Sequence, residues 1–181
     1  MTTATCTHFI DREARKVLLA YQVRKIVGLK GYGGKIEPHQ TPESNAIDEV
    51  KEESGGDPAE RINPAEEGGI QFSASALKRV GLIDFYNGTE EEAPFGSPTF
   101  RVVFFNCYEY SGSAISTNQM QRPDWYDIDN LPIGELIVGD ELFLLNILNE
   151  NMLTGWMRRT SDFKTILGYH FEPCTAKALV I

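Results

Sequence analysis

The sequence predicts an α/β fold, in which a mixed β-sheet lies between helices within one domain spanning residues 1–181. Strand-like and helix-like runs alternate along the chain, and neither a repeat nor a linker interrupts them. The length is sufficient for one sizeable core, and a composition of 41% hydrophobic and 24% charged residues is ordinary for a globular protein.

Five runs have the pattern of β-strands. Residues 7–10 and 16–23 look like the two arms of a hairpin, because the polar run DREAR between them is typical of a turn. Residues 77–86 and 99–110 are also strand-like, and the second run is apolar enough to be central in the sheet. A last strand is expected at TILGYHF, residues 165–171.

A first helix is predicted over residues 42–54. Thr41 is a good N-cap, and Pro42 suits the first helical position. The glycine pair at 55–56 ends the helix. Its apolar stripe toward the core comprises Ala46, Ile47 and Val50.

A second helix is predicted over residues 139–151, GDELFLLNILNEN. Between the first helix and the next strand, residues 57–72 are expected to form an insertion, whose richness in Pro, Gly and Glu predicts that it is exposed. Residues 87–98 are expected to form a loop. The side chains of the second helix that are expected to face the sheet are Leu142, Leu145, Ile147 and Leu148.

The first helix carries Glu49, Glu52 and Glu53 at spacings of three and four, which put the carboxylates on one face. Like charges at this spacing repel, and the negative C-terminal end of the helix dipole adds to the repulsion. Mg²⁺ is a natural counter-ion, since it takes carboxylate oxygens and bridges to phosphates. A glycine-rich turn, GYGGK at 31–35, precedes the helix and lets backbone atoms approach an ion closely. On the glutamates alone, a solvated acidic face remains the alternative.

Turn and helix together resemble the Nudix hydrolases. The box of that family reads Gly, five residues, Glu, seven residues, Arg-Glu-apolar-any-Glu-Glu-any-Gly-apolar. With Gly34 as the first glycine, three positions depart: Gln40 replaces Glu, Asp48 replaces Arg, and Gly56 replaces an apolar residue. The positions that match are Glu49, Val50, Glu52, Glu53 and Gly55.

Within the family, the chain looks most like the MutT-homologue branch that hydrolyses oxidised purine nucleoside triphosphates. The similarity rests on GYGGK, on RPDWYDIDNLP at 122–132 and on TILGYHF. It implies the Nudix fold, an α/β/α sandwich, and Mg²⁺-dependent hydrolysis of a pyrophosphate bond. The expected substrate is a nucleoside triphosphate or another nucleoside diphosphate-linked compound, with 8-oxo-dGTP as one example; Mn²⁺ is a substitute metal.

The resemblance also implies roles for individual residues. Glu49, Glu52 and Glu53 are the expected catalytic residues, and with the Gly34 carbonyl they are the expected metal ligands. Glu49 is either a ligand or the general base, and one sequence does not separate these roles.

Five further residues fall on substrate-binding positions. Lys35 is a phosphate contact or a plain surface lysine. Thr7 and Phe85 line the family's base pocket, although core packing is the alternative for both. Lys30 stands where the similar branch has a base-reading Asn. Asp140 is the one base-reading acid that remains, or else the N-cap of the second helix.

The departures leave two function classes open. Asp48 cannot orient the glutamates as an arginine would, Gln40 removes a carboxylate, and the segment before RPDW lacks the acid that many relatives supply. Glu37 or the run 90–92 could serve as a replacement carboxylate. The chain is therefore expected to be a Nudix-type nucleoside triphosphate pyrophosphohydrolase; the alternative is a catalytically weakened, Nudix-fold nucleotide-binding or regulatory protein.

Composition bounds the partners. A net charge of −9 and a pI near 4.8 argue against binding long nucleic acid through its backbone, but not against a small nucleotide bridged by metal. The three cysteines, Cys6, Cys107 and Cys174, form neither a metal-like pair nor an even disulfide set. No membrane-length apolar run or signal peptide is evident, so a cytoplasmic protein without a membrane partner is expected. The oligomeric state stays open.

Overall fold

The computed structural model describes residues 1–24, 26–88 and 96–181. Its strands are β1 (Thr2–Asp11), β2 (Lys16–Gln22), β3 (Gly28–Lys30), β4 (Gly69–Gln71), β5 (Leu77–Asn87), β6 (Phe100–Cys107), β7 (Ser111–Ser113), β8 (Met120–Asp127), β9 (Leu153–Arg159) and β10 (Ile166–Pro173). The α-helices are α1 (Pro42–Glu53) and α2 (Leu144–Leu148).

One large mixed sheet dominates the molecule. Its strands follow the order β10-β9-β5-β6-β1-β2-β3. An eighth strand, β8, lies outside this linear order and pairs with β2. The pairs β1–β6 and β5–β9 are parallel, whereas the remaining pairs of this sheet are antiparallel. Strands β4 and β7 form a separate two-stranded sheet. The predicted hairpin and the predicted mixed sheet are confirmed.

Strand β6 shows how the layers are stacked. Val103 and Phe105 are fully buried and pack with Ala46 of α1. The residue between them, Phe104, points to the opposite face because side chains alternate along a strand. There its ring lies 5.3 Å, between centroids, from that of Phe143, which precedes α2. The two helical regions therefore cover opposite faces, and the predicted α/β/α sandwich is confirmed.

Helix α1 begins and ends as predicted. The Thr41 side chain accepts a hydrogen bond from the Ser44 amide, and the Ser44 hydroxyl oxygen accepts one from the Thr41 amide, which completes a capping box. Gly55, directly after the C-cap, has a φ of +93°, a conformation that favours glycine. Ala46 and Val50 are fully buried, as the stripe predicts, so the buried side of the helix fixes the direction of its acidic face.

The second predicted helix is much shorter than expected. Gly139 is at a φ of +97°, Asp140–Leu142 form a 3₁₀ turn, and only Leu144–Leu148 are α-helical. Leu145 is 47% exposed and does not face the sheet, contrary to the prediction. The N-cap of the 3₁₀ turn is Gly139, so the alternative of Asp140 as an N-cap is wrong.

Several strands escaped the sequence analysis. Strand β8 contains Pro123 and alternates polar with half-buried residues, and β9 mixes basic residues with apolar ones, so neither run has a strong hydrophobic pattern. The insertion at 57–72 is mostly exposed and is fastened by Arg61, whose side chain donates to the Gly55 and Glu66 carbonyls. Across the described residues, no helix is long and apolar enough to span a membrane.

Candidate active site

A cavity of about 530 Å³ opens beside the acidic face of α1. Thr7 is not among its lining residues: it is fully buried in β1, where its backbone pairs with that of Tyr32. Phe85 both lines the cavity and belongs to the core. The sequence-predicted site residues that the structure brings together in this cavity are Lys30, Gly34, Lys35, Glu49, Glu52, Glu53, Phe85 and Asp140.

The glycine turn is held against β1 by backbone hydrogen bonds. Thr5 donates to the Gly34 carbonyl over 2.9 Å. A Cβ atom on Gly33 would lie 2.2 Å from the Thr5 carbonyl oxygen, and the φ of this glycine is +148°. A Cβ on Gly34 would lie 2.5–2.7 Å from the carboxylate oxygens of Glu49. Glycine is thus required at Gly33, whereas a side chain at Gly34 would displace the Glu49 carboxylate.

Glu53 is the most buried of the three glutamates, with 5% of its surface exposed. It accepts a 2.7 Å hydrogen bond from the Gly33 amide, and the Lys30 ammonium lies 3.7 Å from its other oxygen. Burial raises the pKa of Glu53, and the nearby Lys30 charge partly offsets that rise. The same ammonium donates a 2.7 Å hydrogen bond to the Gly33 carbonyl. The structure therefore places a cationic side chain within the acidic cluster.

The pKa of Glu49 is raised to about 7, chiefly by burial and then by repulsion from Glu53 and Glu52. Glu52 accepts a 2.8 Å hydrogen bond from the side-chain amide of Gln119. Gln119 lies in the segment before RPDW, where many Nudix hydrolases have an acidic residue. In this chain an uncharged hydrogen-bond donor from that segment contacts Glu52 instead. The cluster is thus less negative than its glutamates alone suggest.

Asn45 fastens the helix to the glycine turn, a role that the sequence analysis missed. Its side-chain amide donates to the Lys35 carbonyl over 2.9 Å, and its oxygen accepts a 2.7 Å hydrogen bond from the Thr5 hydroxyl. Asn45 is 1% exposed. The signal in the sequence was a polar residue on the apolar side of the helix, next to Ala46.

The inner end of the cavity contains a second charged group. Arg159 of β9 is 4% exposed, and its guanidinium lies 4.9 Å from the centroid of the Phe85 ring while donating to the Val138 carbonyl. Burial raises the pKa of Asp140 to about 7, against the opposing effect of the Arg159 charge. Sequence reasoning missed Arg159, whose only signal was an arginine at the end of a half-apolar run.

Of the replacement carboxylates expected from the sequence, Glu37 does not enter this arrangement. Glu37 is exposed, and its carboxylate contacts the Lys35 ammonium at 3.3 Å rather than lining the cavity. The run 90–92 lies outside the described residues. Lys35 and Arg24 are the exposed basic residues that line the cavity, and either can reach an anionic group there.

The donor chemistry suits a hard divalent cation, because the three glutamates of α1 line the cavity together and the pKa values of Glu49 and Glu53 are raised partly by repulsion from neighbouring glutamates. The Gly34 carbonyl already accepts a hydrogen bond from Thr5, whereas the Gly33 carbonyl contacts Lys30. Within residues 1–24, 26–88 and 96–181, no three His, Cys, Asp or Glu side chains converge closely enough to hold a metal ion. The fit therefore rests on ligand type and charge.

Known proteins with the same architecture bear on this site. A MutT NUDIX hydrolase from Burkholderia pseudomallei superposes with a TM-score of 0.54 at 15% identity, covering 82% of this chain and 96% of that one. A mutator MutT protein from Bacillus halodurans gives a TM-score of 0.72 at 18% identity, covering 97% of this chain and all of that one. The chain has the Nudix fold.

Sequence comparison leads to the same group of proteins. A Danio rerio protein named oxidized purine nucleoside triphosphate hydrolase is 26% identical over 160 residues, which cover 83% of this chain and 88% of the relative. No protein-family model matches the chain. The predicted resemblance to the Nudix hydrolases is confirmed by these similarities, and the Danio rerio relative is itself named a hydrolase.

Proposed function

We propose that the chain hydrolyses a pyrophosphate bond in a nucleoside triphosphate, or in another nucleoside diphosphate-linked compound, with Mg²⁺ bound at Glu49, Glu52 and Glu53. The observation that carries the proposal is the division of one cavity into an acidic end and an aromatic end. Its volume of about 530 Å³ lies within the range of roughly 300–1,000 Å³ that small-molecule sites occupy. Purine nucleoside triphosphates with an oxidised base are the first substrates to test, because the Danio rerio relative is named for them.

The two ends suit the two parts of a nucleotide. The acidic end lies beside the basic Lys35 and Arg24, which are able to contact phosphate oxygens. The aromatic end contains Phe85 and Phe104 together with the buried charges of Asp140 and Arg159. Flat apolar walls with a few polar groups are what a base requires for stacking and hydrogen bonding.

Phosphoryl chemistry needs positioning and charge stabilisation more than covalent help. When bound, Mg²⁺ supplies neutralisation of phosphate oxygens and lowers the pKa of a coordinated water. The contribution of the protein is a proton acceptor held in place. Glu49 suits that role, since a pKa of about 7 is close to neutral pH and its carboxylate lies beside Gly34 of the glycine turn. Ligation by Glu49 is the other role that its position allows.

A second function is favoured by one contact. Lys30 already neutralises part of the Glu53 charge, which would weaken metal binding and with it hydrolysis. A nucleotide-binding or regulatory protein with the Nudix fold is therefore the competing proposal. In both proposals the partner is a small nucleotide and the location is the cytoplasm, which suits the free cysteines and the acidic net charge.

The test is a hydrolysis screen with and without Mg²⁺, in which released pyrophosphate is measured directly and phosphomonoester products are measured as the phosphate that an added phosphatase releases from them. Nucleoside triphosphates, their oxidised forms, nucleotide sugars and dinucleoside polyphosphates are compared for the wild type, for Glu53→Gln and for Glu67→Gln. Glu67 is exposed and does not line the cavity, so this variant controls for loss of one carboxylate.

We expect Mg²⁺-dependent release with the wild type and with Glu67→Gln, and a loss of at least a hundredfold with Glu53→Gln. Nucleotide binding without release in the wild type would instead support the binding protein. Equal release by Glu53→Gln and the wild type would contradict the proposed site.

A further inference from the structure

Lys30 occupies an unusual position at the end of β3. Its side chain is 14% exposed, and its ammonium lies 2.7 Å from the Gly33 carbonyl oxygen and 3.7 Å from Glu53 Oε1. The other oxygen of Glu53 accepts a hydrogen bond from the Gly33 amide. One ammonium is thus shared between a turn carbonyl and the most buried carboxylate of the acidic helix.

This environment resembles that of a bound cation. A carbonyl oxygen and a carboxylate oxygen are the ligand types that hard divalent ions prefer. An ammonium and a divalent ion cannot hold the same two oxygens together, because at about 4 Å two positive charges repel by several kcal/mol wherever water is largely excluded. A metal ion that binds Glu53 and the Gly33 carbonyl must therefore displace Lys30.

We propose that Lys30 is a tethered cation that competes with divalent metal for Glu53 and the Gly33 carbonyl. In the metal-free protein it stabilises the acidic cluster; on metal binding its side chain leaves these oxygens and remains within the cavity that it lines. This inference rests on the proposed function only in naming the cation that competes. The Lys30 charge would also explain how Glu49, Glu52 and Glu53 stay close to one another when no metal offsets their repulsion.

A structural ion pair is the alternative, and it makes a different prediction for metal binding. If Lys30 only stabilises the fold, its removal should leave metal affinity unchanged or lower it. If Lys30 competes with metal, its removal should raise metal affinity while lowering the stability of the metal-free protein, because Glu53 would then lack its nearby positive charge.

The experiment measures Mn²⁺ binding calorimetrically, with the full chain and no nucleotide, for the wild type, Lys30→Met and Lys51→Met. Lys51 lies on α1, the helix that carries Glu53, but it is exposed and does not line the cavity. Lys51→Met therefore makes the same change in net charge outside the cavity. We expect Lys30→Met to bind Mn²⁺ at least tenfold more tightly than the wild type, with Lys51→Met within twofold. Affinity in Lys30→Met no higher than in Lys51→Met would overturn the proposal.

A second variant and a second measurement cover the case in which Lys30→Met does not fold without metal. Lys30→Asn introduces the residue that the similar branch carries here, and its melting temperature is followed as Mn²⁺ is added. A larger increase than in the wild type supports competition, and an equal or smaller one refutes it. These readouts are independent of turnover. Tighter Mn²⁺ binding by Lys30→Met, together with no hydrolysis by the wild type, would refute only the proposed hydrolysis. Unchanged Mn²⁺ binding, together with hydrolysis by the wild type, would refute only the competition between Lys30 and metal.

Discussion

Gln40 donates a 2.9 Å hydrogen bond from its side-chain amide to the carboxylate of Asp48, eight positions along the chain. The Gln40 oxygen accepts hydrogen bonds from the Glu37 amide and from the side chain of Asn45. The two residues that depart most from the Nudix box thus contact each other, and Asn45 connects them to the glycine turn. They form one replacement pair instead of two independent losses.

This pair leads to a prediction for restored residues. Gln40→Glu alone should destabilise the protein, because it puts a carboxylate against Asp48. Gln40→Glu combined with Asp48→Arg should instead provide a charged pair and a guanidinium able to orient the glutamates. We expect kcat/KM of the double variant to rise about tenfold, or about 1.4 kcal/mol of barrier, and to exceed the product of the single effects.

The measurement compares all four proteins with the best substrate from the release screen, and thermal unfolding serves as the control. A drop in kcat/KM of the stable double variant would show that the Gln40–Asp48 pair is itself part of a working site.

Asp140 gives a prediction for pH. Its pKa is raised from 3.8 to about 7, chiefly by burial, so the folded protein holds this proton more tightly than the unfolded chain. The contribution to stability is therefore present below about pH 4 and is lost as pH rises to about 7. Asp140→Asn should reduce the loss of stability between pH 5 and pH 8; a residual loss should remain from Glu49, whose pKa is raised to about 7 in the same way.

Urea unfolding at pH 5 and pH 8 checks this, with Glu67→Gln as the exposed control. The decisive quantity is the difference in unfolding free energy between the two pH values. If Asp140→Asn and the wild type lose the same amount, the carboxyl does not titrate in this range.

The local part of the site followed from the sequence for physical reasons. Caps, glycine turns and helical spacing depend on neighbours within about four residues, so α1 and the positions of Glu49, Glu52 and Glu53 along the wall of one cavity were predictable. Distant contacts were not. Gln119 meets Glu52 across 67 positions, and no periodicity of the chain specifies that pairing. Nor did the sequence indicate that Lys30, at a substrate-binding position of the similar branch, contacts Glu53 and the Gly33 carbonyl.

The length of the second helix was predicted wrongly, although the pattern within it is local. Its apolar spacing was correct for Ile147 and Leu148, which are buried, but Leu144 is buried in place of the predicted Leu145. The predicted length was wrong because the positive φ of Gly139 and the following 3₁₀ turn replace the first helical turns. Periodicity identifies the residues that face the core, but the sheet and its connections decide how many of them are helical.

Gln119 gives a third prediction. Its amide contacts Glu52, so Gln119→Glu would bring two carboxylates to this 2.8 Å contact and add a fourth carboxylate to the cluster of Glu49, Glu52 and Glu53. We expect a lower melting temperature without metal and a larger Mg²⁺- or Mn²⁺-induced increase than in the wild type, because the metal-bound state gains a ligand. Differential scanning fluorimetry with and without 5–10 mM metal, roughly a thousandfold above micromolar dissociation constants, measures both effects. A smaller metal-induced increase than in the wild type would exclude Gln119 from the metal site.

Base selectivity gives the last prediction. A site that reads a base through buried hydrogen bonds discriminates sharply only while those partners are present. Ile137 and Gly139 occupy two positions where the similar branch has base-reading residues, and a Cβ on Gly139 would lie 2.5 Å from the sulfur of Met157, so a larger residue does not fit there. In place of the base-reading Asn of that branch, Lys30 provides a cation that contacts Glu53. We therefore expect kcat/KM for 8-oxo-dGTP and dGTP to differ by less than about tenfold, or about 1.4 kcal/mol.

Both substrates are compared at matched Mg²⁺, for the wild type and for Asp140→Asn. If Asp140 reads the base in a site of low selectivity, the variant should lower kcat/KM for both substrates by a similar factor, since phosphate contacts at the acidic end are unaltered. A preference of a hundredfold or more for 8-oxo-dGTP in the wild type would refute the prediction. If that preference also disappeared in Asp140→Asn, Asp140 with its neighbour Arg159 would be the group that recognises the oxidised base.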